Sequence, residues 1–137
     1  MISLDTNVII SALESADSRH SEALTALLRE QHQGYVISPA VYSELRAGPE
    51  WSRYQNWLSL TRISVLWAMP QEVWELAGLR QGQYAQLRRA GKLPRRILPD
   101  FLIAAHAEYH GLDVIGFDRT VYDSVFTNLT LLDPTAM

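Results

Sequence analysis

The chain has no cysteine among its 137 residues. Disulfides, zinc–thiolate sites and thiol catalysis are therefore excluded, and with no need for an oxidising compartment a cytoplasmic location is expected. Long apolar runs are missing as well. No stretch approaches the roughly 20 apolar residues of a membrane span, and no charged segment followed by an apolar one opens the chain, so neither a span nor a leader is expected. Repeats, low-complexity tracts and linker-like segments are absent too. Lysine is reduced to Lys92 alone, and the formal net charge is −3. Bulk positive charge thus cannot hold nucleic acid, and any such contact has to be local or metal-assisted. What the chain does have is a 47% hydrophobic content, enough to bury one core but not two. A single domain over residues 1–137 is expected.

Short β-rich runs alternate with longer amphipathic ones, the pattern of βαβ units and a parallel sheet. Strands are predicted at 2–4, 35–37, 62–66, 114–116 and 129–132. Helices are predicted at 6–13, 19–31, 39–47, 50–58, 71–90, 100–110 and 120–125. Ser38-Pro39 is an N-cap followed by proline at the first helical position, and Gly48-Pro49 ends the helix it starts. In the long helix Val73, Leu76, Ala77, Tyr84 and Leu87 form one stripe, which Arg80 interrupts.

Four acidic residues sit where elements begin or end, or on a helix facing them: Asp5, Glu44, Asp100 and Asp118. Ligands of open parallel sheets collect at the carboxyl ends of the strands, where Asp5 and Asp118 are placed. Mg²⁺ and Mn²⁺ prefer hard oxygen donors and bind through a few carboxylates beside waters, so the four suggest a divalent-metal site. Such a site activates water, and phosphodiester hydrolysis is the natural chemistry. Crowded carboxylates repel one another, so without metal at least one should have a raised pKa, and metal binding should weaken as pH falls.

Each of the four also has a plainer reading. Asp5 before Thr6-Asn7 could cap the first helix. Glu44 lies beside Val41 and Leu45 on a helix, where most glutamates are simply solvated. Asp100 at a helix start complements the macrodipole, although Ile103, Ala104 and Ala107 put it on the apolar side of that helix. Asp118 reads equally as a turn residue. His106 and His110, one turn apart on an alanine-rich helix, are read as packing or solvated residues rather than general bases.

Taken together, Leu4-Asp5-Thr6-Asn7, Glu44 in Ser-Glu-Leu, Asp100 in Asp-Phe-Leu-Ile-Ala-Ala-His, and Asp118 in Phe-Asp-Arg with Tyr122 and Phe126 following resemble a PIN-domain ribonuclease. Size and element order are most similar to the VapC-type toxins of bacterial toxin–antitoxin pairs, over essentially the whole chain. The resemblance implies a PIN-like three-layer α/β fold, a central parallel sheet of about five strands with helices on both faces. It implies a Mg²⁺- or Mn²⁺-dependent endoribonuclease that cuts structured RNA such as transfer or ribosomal RNA, with the 3′ oxygen as leaving group and no protein nucleophile. A cognate antitoxin and a homodimer are the implied partners. Carried over by position, Asp5, Glu44, Asp100 and Asp118 are the catalytic and metal-binding quartet, and Thr6 and Asn7 support it, Asn7 by orienting Asp5. Where many relatives have Thr or Ser two positions before the fourth acidic residue, this chain has Gly116.

RNA phosphates need cationic partners beside such a pocket. Arg88, Arg89, Lys92, Arg95 and Arg96, just before Asp100, are the candidates for holding the RNA backbone, the alternative being a helix C-terminus complemented by Arg88 and Arg89 and a solvated loop. Trp51, Tyr54 and Trp57 recur on one helical face and suggest a dimer or antitoxin interface. Two other classes compete. A catalytically inactive PIN-like RNA-binding or regulatory module would keep the fold without the chemistry. A receiver-like phosphoacceptor would need an acidic pair after the first strand and a late lysine, and the chain offers Asp5 alone and Lys92.

Overall fold

The computed structural model describes every residue from Met1 to Met137. Five short strands form one sheet: β1 (Ile2–Leu4), β2 (Tyr35–Ile37), β3 (Ser64–Val65), β4 (Asp113–Ile115) and β5 (Leu131–Leu132). All neighbours are parallel, in the order β3-β2-β1-β4-β5. Seven helices connect and cover them: α1 (Thr6–Leu13), α2 (His20–Glu30), α3 (Pro39–Ala47), α4 (Trp51–Leu60), α5 (Gln71–Ala90), α6 (Leu98–His110) and α7 (Thr120–Ser124). Because β1 is followed in sequence by β2 on one side and flanked by β4 on the other, the order reverses between β1 and β4. A crevice opens at their carboxyl ends, which is where α/β sheets of this kind place ligands.

Side chains alternate across the sheet, and each face has its own core. Ile2, Leu4, Ile37 and Ile115 pack with Val8, Ile9, Leu27, Val41 and Leu58 from α1 to α4. Val114 and Leu131 point the other way, into a core built by α5, α6 and α7 with Val73, Tyr84, Phe101 and Phe126. Helix α6 is buried from Phe101 to Ala107 without a polar break except His106. That histidine meets the Leu66 carbonyl at 2.8 Å through Nε2, and His110 meets the Ala68 carbonyl at the same distance, so both tie α6 to the chain leaving β3. Burial lowers the His106 pKa, which keeps the ring neutral. Both histidines are packing residues, as expected.

The predicted elements all exist, with differences at their ends. β3 is two residues long rather than five and β5 two rather than four, since both are edge strands with a single paired neighbour. α6 starts at Leu98 rather than Asp100 because Pro99 is tolerated within the first helical turn. The α5 stripe holds at Val73, Ala77 and Tyr84, but Leu87 is exposed. Tyr84 stacks edge-on against Phe101 near the start of α6, so the last turns of α5 run past their partner helix. Arg80 interrupts the stripe as a partly buried residue: its guanidinium lies 5.9 Å over the Phe126 ring and pairs with Glu108 at 4.0 Å. Trp51, Tyr54 and Trp57, expected at an interface, are partly buried and pack against the first core on one side. Trp51 also meets Tyr42 edge-on at 5.2 Å. An α4 lying over a sheet edge needs this face for its own burial.

Candidate active site and metal centre

β1 ends at Leu4, and the Asp5 N–H continues the ladder by donating to the Ile115 carbonyl at 3.0 Å. This bond fixes the Asp5 backbone at the carboxyl end of β1. Asp5 occupies the N-cap position of α1, yet its side chain caps nothing. The plain capping reading therefore fails. Burial, opposed in part by the Thr6 N–H and reinforced by Asp100, Glu44 and Asp118, pushes the Asp5 pKa up to about 7. A raised carboxylate pKa was expected of a crowded acidic site.

Asp100 arrives from the first turn of α6. Its Oδ2 accepts the Ile97 N–H at 3.0 Å, and its own N–H donates to the Ile97 carbonyl. Burial raises its pKa against the pull of that N–H and of Arg96. Asp118 comes from the loop after β4. Its Oδ1 accepts the Thr120 N–H at 3.0 Å and its Oδ2 accepts from Arg96 at 2.7 Å. Burial would raise Asp118, but the Thr120 and Arg96 hydrogen bonds and the Arg96 charge outweigh it and hold the pKa below the ordinary value. Asp5, Asp100 and Asp118 line one cleft with Arg96, Val121 and Tyr122. Its open volume is about 10 Å³, room for one water-sized body.

Glu44 stands apart from that cleft. It lines an adjoining groove of about 460 Å³ with Met69, Trp74 and Pro99, and it is exposed on α3. The Thr6 hydroxyl donates to its Oε1 at 2.7 Å, which leashes the carboxylate to the start of α1 and brings its charge to bear on Asp5. Thr6 therefore supports Glu44. Asn7 is exposed, and no hydrogen bond joins it to Asp5. Gly116 packs directly on the site: a Cβ there would lie 3.2 Å from Asp5 Oδ2 and 3.3 Å from Leu131 Cδ1.

Of the basic segment, Arg88, Arg89, Lys92 and Arg95 are exposed, and Arg88 and Arg89 flank a shallow hollow at the end of α5. Arg96 differs from them. It turns inward onto Asp118, with a side chain 23% exposed, and was grouped with the exposed four only because sequence spacing carries no sign of which way a loop arginine turns.

The donor set is suited to a divalent cation such as Mg²⁺ or Mn²⁺: hard carboxylate oxygens alone, one of them on Asp5, whose burial and carboxylate neighbours favour a proton that a cation would replace. No three acidic groups stand together at metal-ligating distance. Asp5, Asp100 and Asp118 are the residues that would hold an ion, with Glu44 reaching in from α3.

The PIN domain matches residues 2–125, and the chain belongs to this family. Solved structures share the fold. FitAcB from Neisseria gonorrhoeae is 17% identical with a TM-score of 0.70, each chain covered over 100% of its length. A toxin–antitoxin complex from Klebsiella pneumoniae is 23% identical with a TM-score of 0.67 and 98% of both chains covered. VapBC-1 from nontypeable Haemophilus influenzae is 24% identical with a TM-score of 0.61, covering 98% of this chain and 99% of that one. No curated protein matches the sequence.

Proposed function

We propose that this chain is a Mg²⁺- or Mn²⁺-dependent endoribonuclease, the toxin of a toxin–antitoxin pair, which hydrolyses phosphodiester bonds in structured RNA such as transfer or ribosomal RNA. The observation that carries the reading is the convergence of Asp5, Asp100 and Asp118 from three separate segments on one cleft at the β1–β4 crevice. Membership of the PIN family and the toxin–antitoxin complexes among structures of the same fold agree with it.

A divalent ion in the cleft would lower the pKa of a water and offset phosphate charge. The protein's part is placement. Asp5, Asp100 and Asp118 would hold the ion, Asp5 giving up its proton to it; Asp100 is fixed by the Ile97 N–H, and Glu44 is held by the Thr6 hydroxyl at the side where the groove enters. Arg88, Arg89, Lys92 and Arg95 hold the RNA backbone without reading bases, their charge set against the acidic cleft. Water attacks phosphorus, the 3′ oxygen leaves, and no protein atom becomes covalently attached. The protein partner is an antitoxin, and the apolar groove between α2 and α4, lined by Leu24, Leu28, Trp57 and Ile63, is the surface offered to it. A homodimer in the cytoplasm completes the reading.

Titrating Mg²⁺ and Mn²⁺ against cleavage of total RNA, with Asp5→Asn and a chelator beside the wild type, tests the proposal. Cleavage that requires metal and disappears in Asp5→Asn is expected. A folded protein that binds RNA yet cuts none at any metal concentration would leave the inactive RNA-binding module as the better reading.

A further inference from the structure

Asp118 is the one carboxylate of the cleft that already holds a cation. Arg96 donates from Nε to Oδ2 at 2.7 Å and its Nη2 stands in ion-pair contact with the same oxygen at 2.7 Å, while Oδ1 accepts the Thr120 N–H at 3.0 Å. The Asp118 carboxylate is thus held on one oxygen by the guanidinium and on the other by its own loop. Nη2 also reaches the Thr120 hydroxyl at 3.3 Å, and Nη1 donates to the Arg95 carbonyl at 2.8 Å. The backbone on both sides is pinned, by the Tyr84 hydroxyl on the Pro94 carbonyl and by the Ile97 N–H on Asp100. The Arg96 backbone is thereby held while its side chain can turn away from Asp118.

We propose that Arg96 is the resident counter-ion of the metal-free cleft and competes with the divalent cation for Asp118, so that ion entry requires the guanidinium to release Oδ2. The inference rests on the nuclease reading and adds a control on it. A cation in a cleft this small stands within a few ångströms of the guanidinium, and two positive charges at that separation repel. One of them has to withdraw. Once displaced, the fork of Arg96 remains at the rim of the cleft, where its planar geometry suits an incoming phosphate.

Mn²⁺ binding, read from the electron paramagnetic resonance of the free ion, tests the competition on wild type, Arg96→Gln and Arg96→Lys, with Asp5→Asn as the reference for binding in the cleft. Arg96→Gln is expected to bind Mn²⁺ roughly tenfold more tightly. Arg96→Lys should fall between the two, since a point charge keeps the repulsion but loses the fork. Wild-type or weaker affinity in a folded Arg96→Gln overturns the proposal while leaving the nuclease reading intact. Should circular dichroism show that Arg96→Gln has not folded, Arg96→Lys decides by the same criterion. Failure of wild type and variants alike to bind Mn²⁺ in an Asp5-dependent way overturns the nuclease reading and this proposal with it.

Discussion

Asp5 and Asp118 are the same residue type in the same cleft, and their proton affinities are displaced in opposite directions. Asp5 forms the floor, at the end of a buried strand, where desolvation and neighbouring carboxylates push its pKa up to about 7. Asp118 forms the rim, on an exposed loop, where Thr120 and Arg96 hold its pKa down. The floor has no cationic side chain beside it and favours a proton, whereas the rim has Arg96 as a built-in cation. A cleft polarised in this way is poor at holding its own charge and well arranged to exchange a proton and an arginine for a divalent ion.

Removing the floor should have the largest effect. Asp5→Asn is expected to lower metal-dependent RNA cleavage by at least about a hundredfold, measured as initial rate at saturating Mn²⁺. The same substitution separates stability from function. In chelator, Asp5 is protonated in the folded state up to about pH 7, but ionised in the unfolded chain above its ordinary pKa. A group with a raised folded pKa stabilises fully below the unfolded pKa, and its contribution is lost as pH rises through the folded one. Across the window from about pH 4 to pH 7 the Asp5 share of stability should therefore fall by about 1.4 kcal/mol per pH unit, at most about 4 kcal/mol in all. Asp5→Asn should remove that slope, so denaturant unfolding of wild type and variant in chelator should converge in acid, diverge between about pH 4 and pH 7 and stay apart above neutrality, with the variant the more stable. Parallel curves would show that Asp5 is not the buried acid.

The architecture was legible in the sequence because it rests on periodicity and capping chemistry. Ser38-Pro39 opens α3 with the Ser38 hydroxyl accepting the Val41 N–H at 3.2 Å, and β1, β2, α1, α3 and α5 have the bounds their patterns predict. Asp5, Asp100 and Asp118 were legible as a group because parallel topology gathers strand ends and helix starts at one edge. Three features were not. Thr6 shows its partner only when α1 and α3 are packed together, 38 positions apart in sequence. Arg96 was inseparable from Arg95 in a run of charges, although only Arg96 turns inward. Arg80 broke an apolar stripe for a reason that lies on α6 and beyond α7, in Glu108 and Phe126. Each depends on a long-range partner, and local pattern carries no trace of one.

A smaller effect is expected from the side of the floor facing α3. Thr6→Val keeps the shape of the side chain and removes the 2.7 Å hydrogen bond to Glu44. If Glu44 works from the position that bond gives it, cleavage should fall roughly tenfold with little change in Mn²⁺ affinity, because the carboxylates of the cleft itself are untouched. An equal loss of metal affinity would place Glu44 among the tight ligands of the ion and make the floor a four-residue unit.

The smallest effect should come from Gly116, which packs on Asp5 without a side chain of its own. The backbone here is held by its N–H on the Leu132 carbonyl at 3.2 Å, and a Cβ would press on Asp5 Oδ2 at 3.2 Å and Asp5 Cβ at 3.3 Å. Neighbours at that range must shift by a few tenths of an ångström, so Gly116→Ala should cost about 1 kcal/mol in denaturant unfolding. Alanine also shields the Asp5 carboxylate further, and a nuclear magnetic resonance titration in chelator should find its pKa higher than in wild type. Gly116→Ser adds the same bulk together with a donor. If a hydroxyl at this position supports the floor by hydrogen bonding, serine should bring the Asp5 pKa back below the alanine value, whereas identical shifts in the two variants would mean that position 116 acts on Asp5 through volume alone.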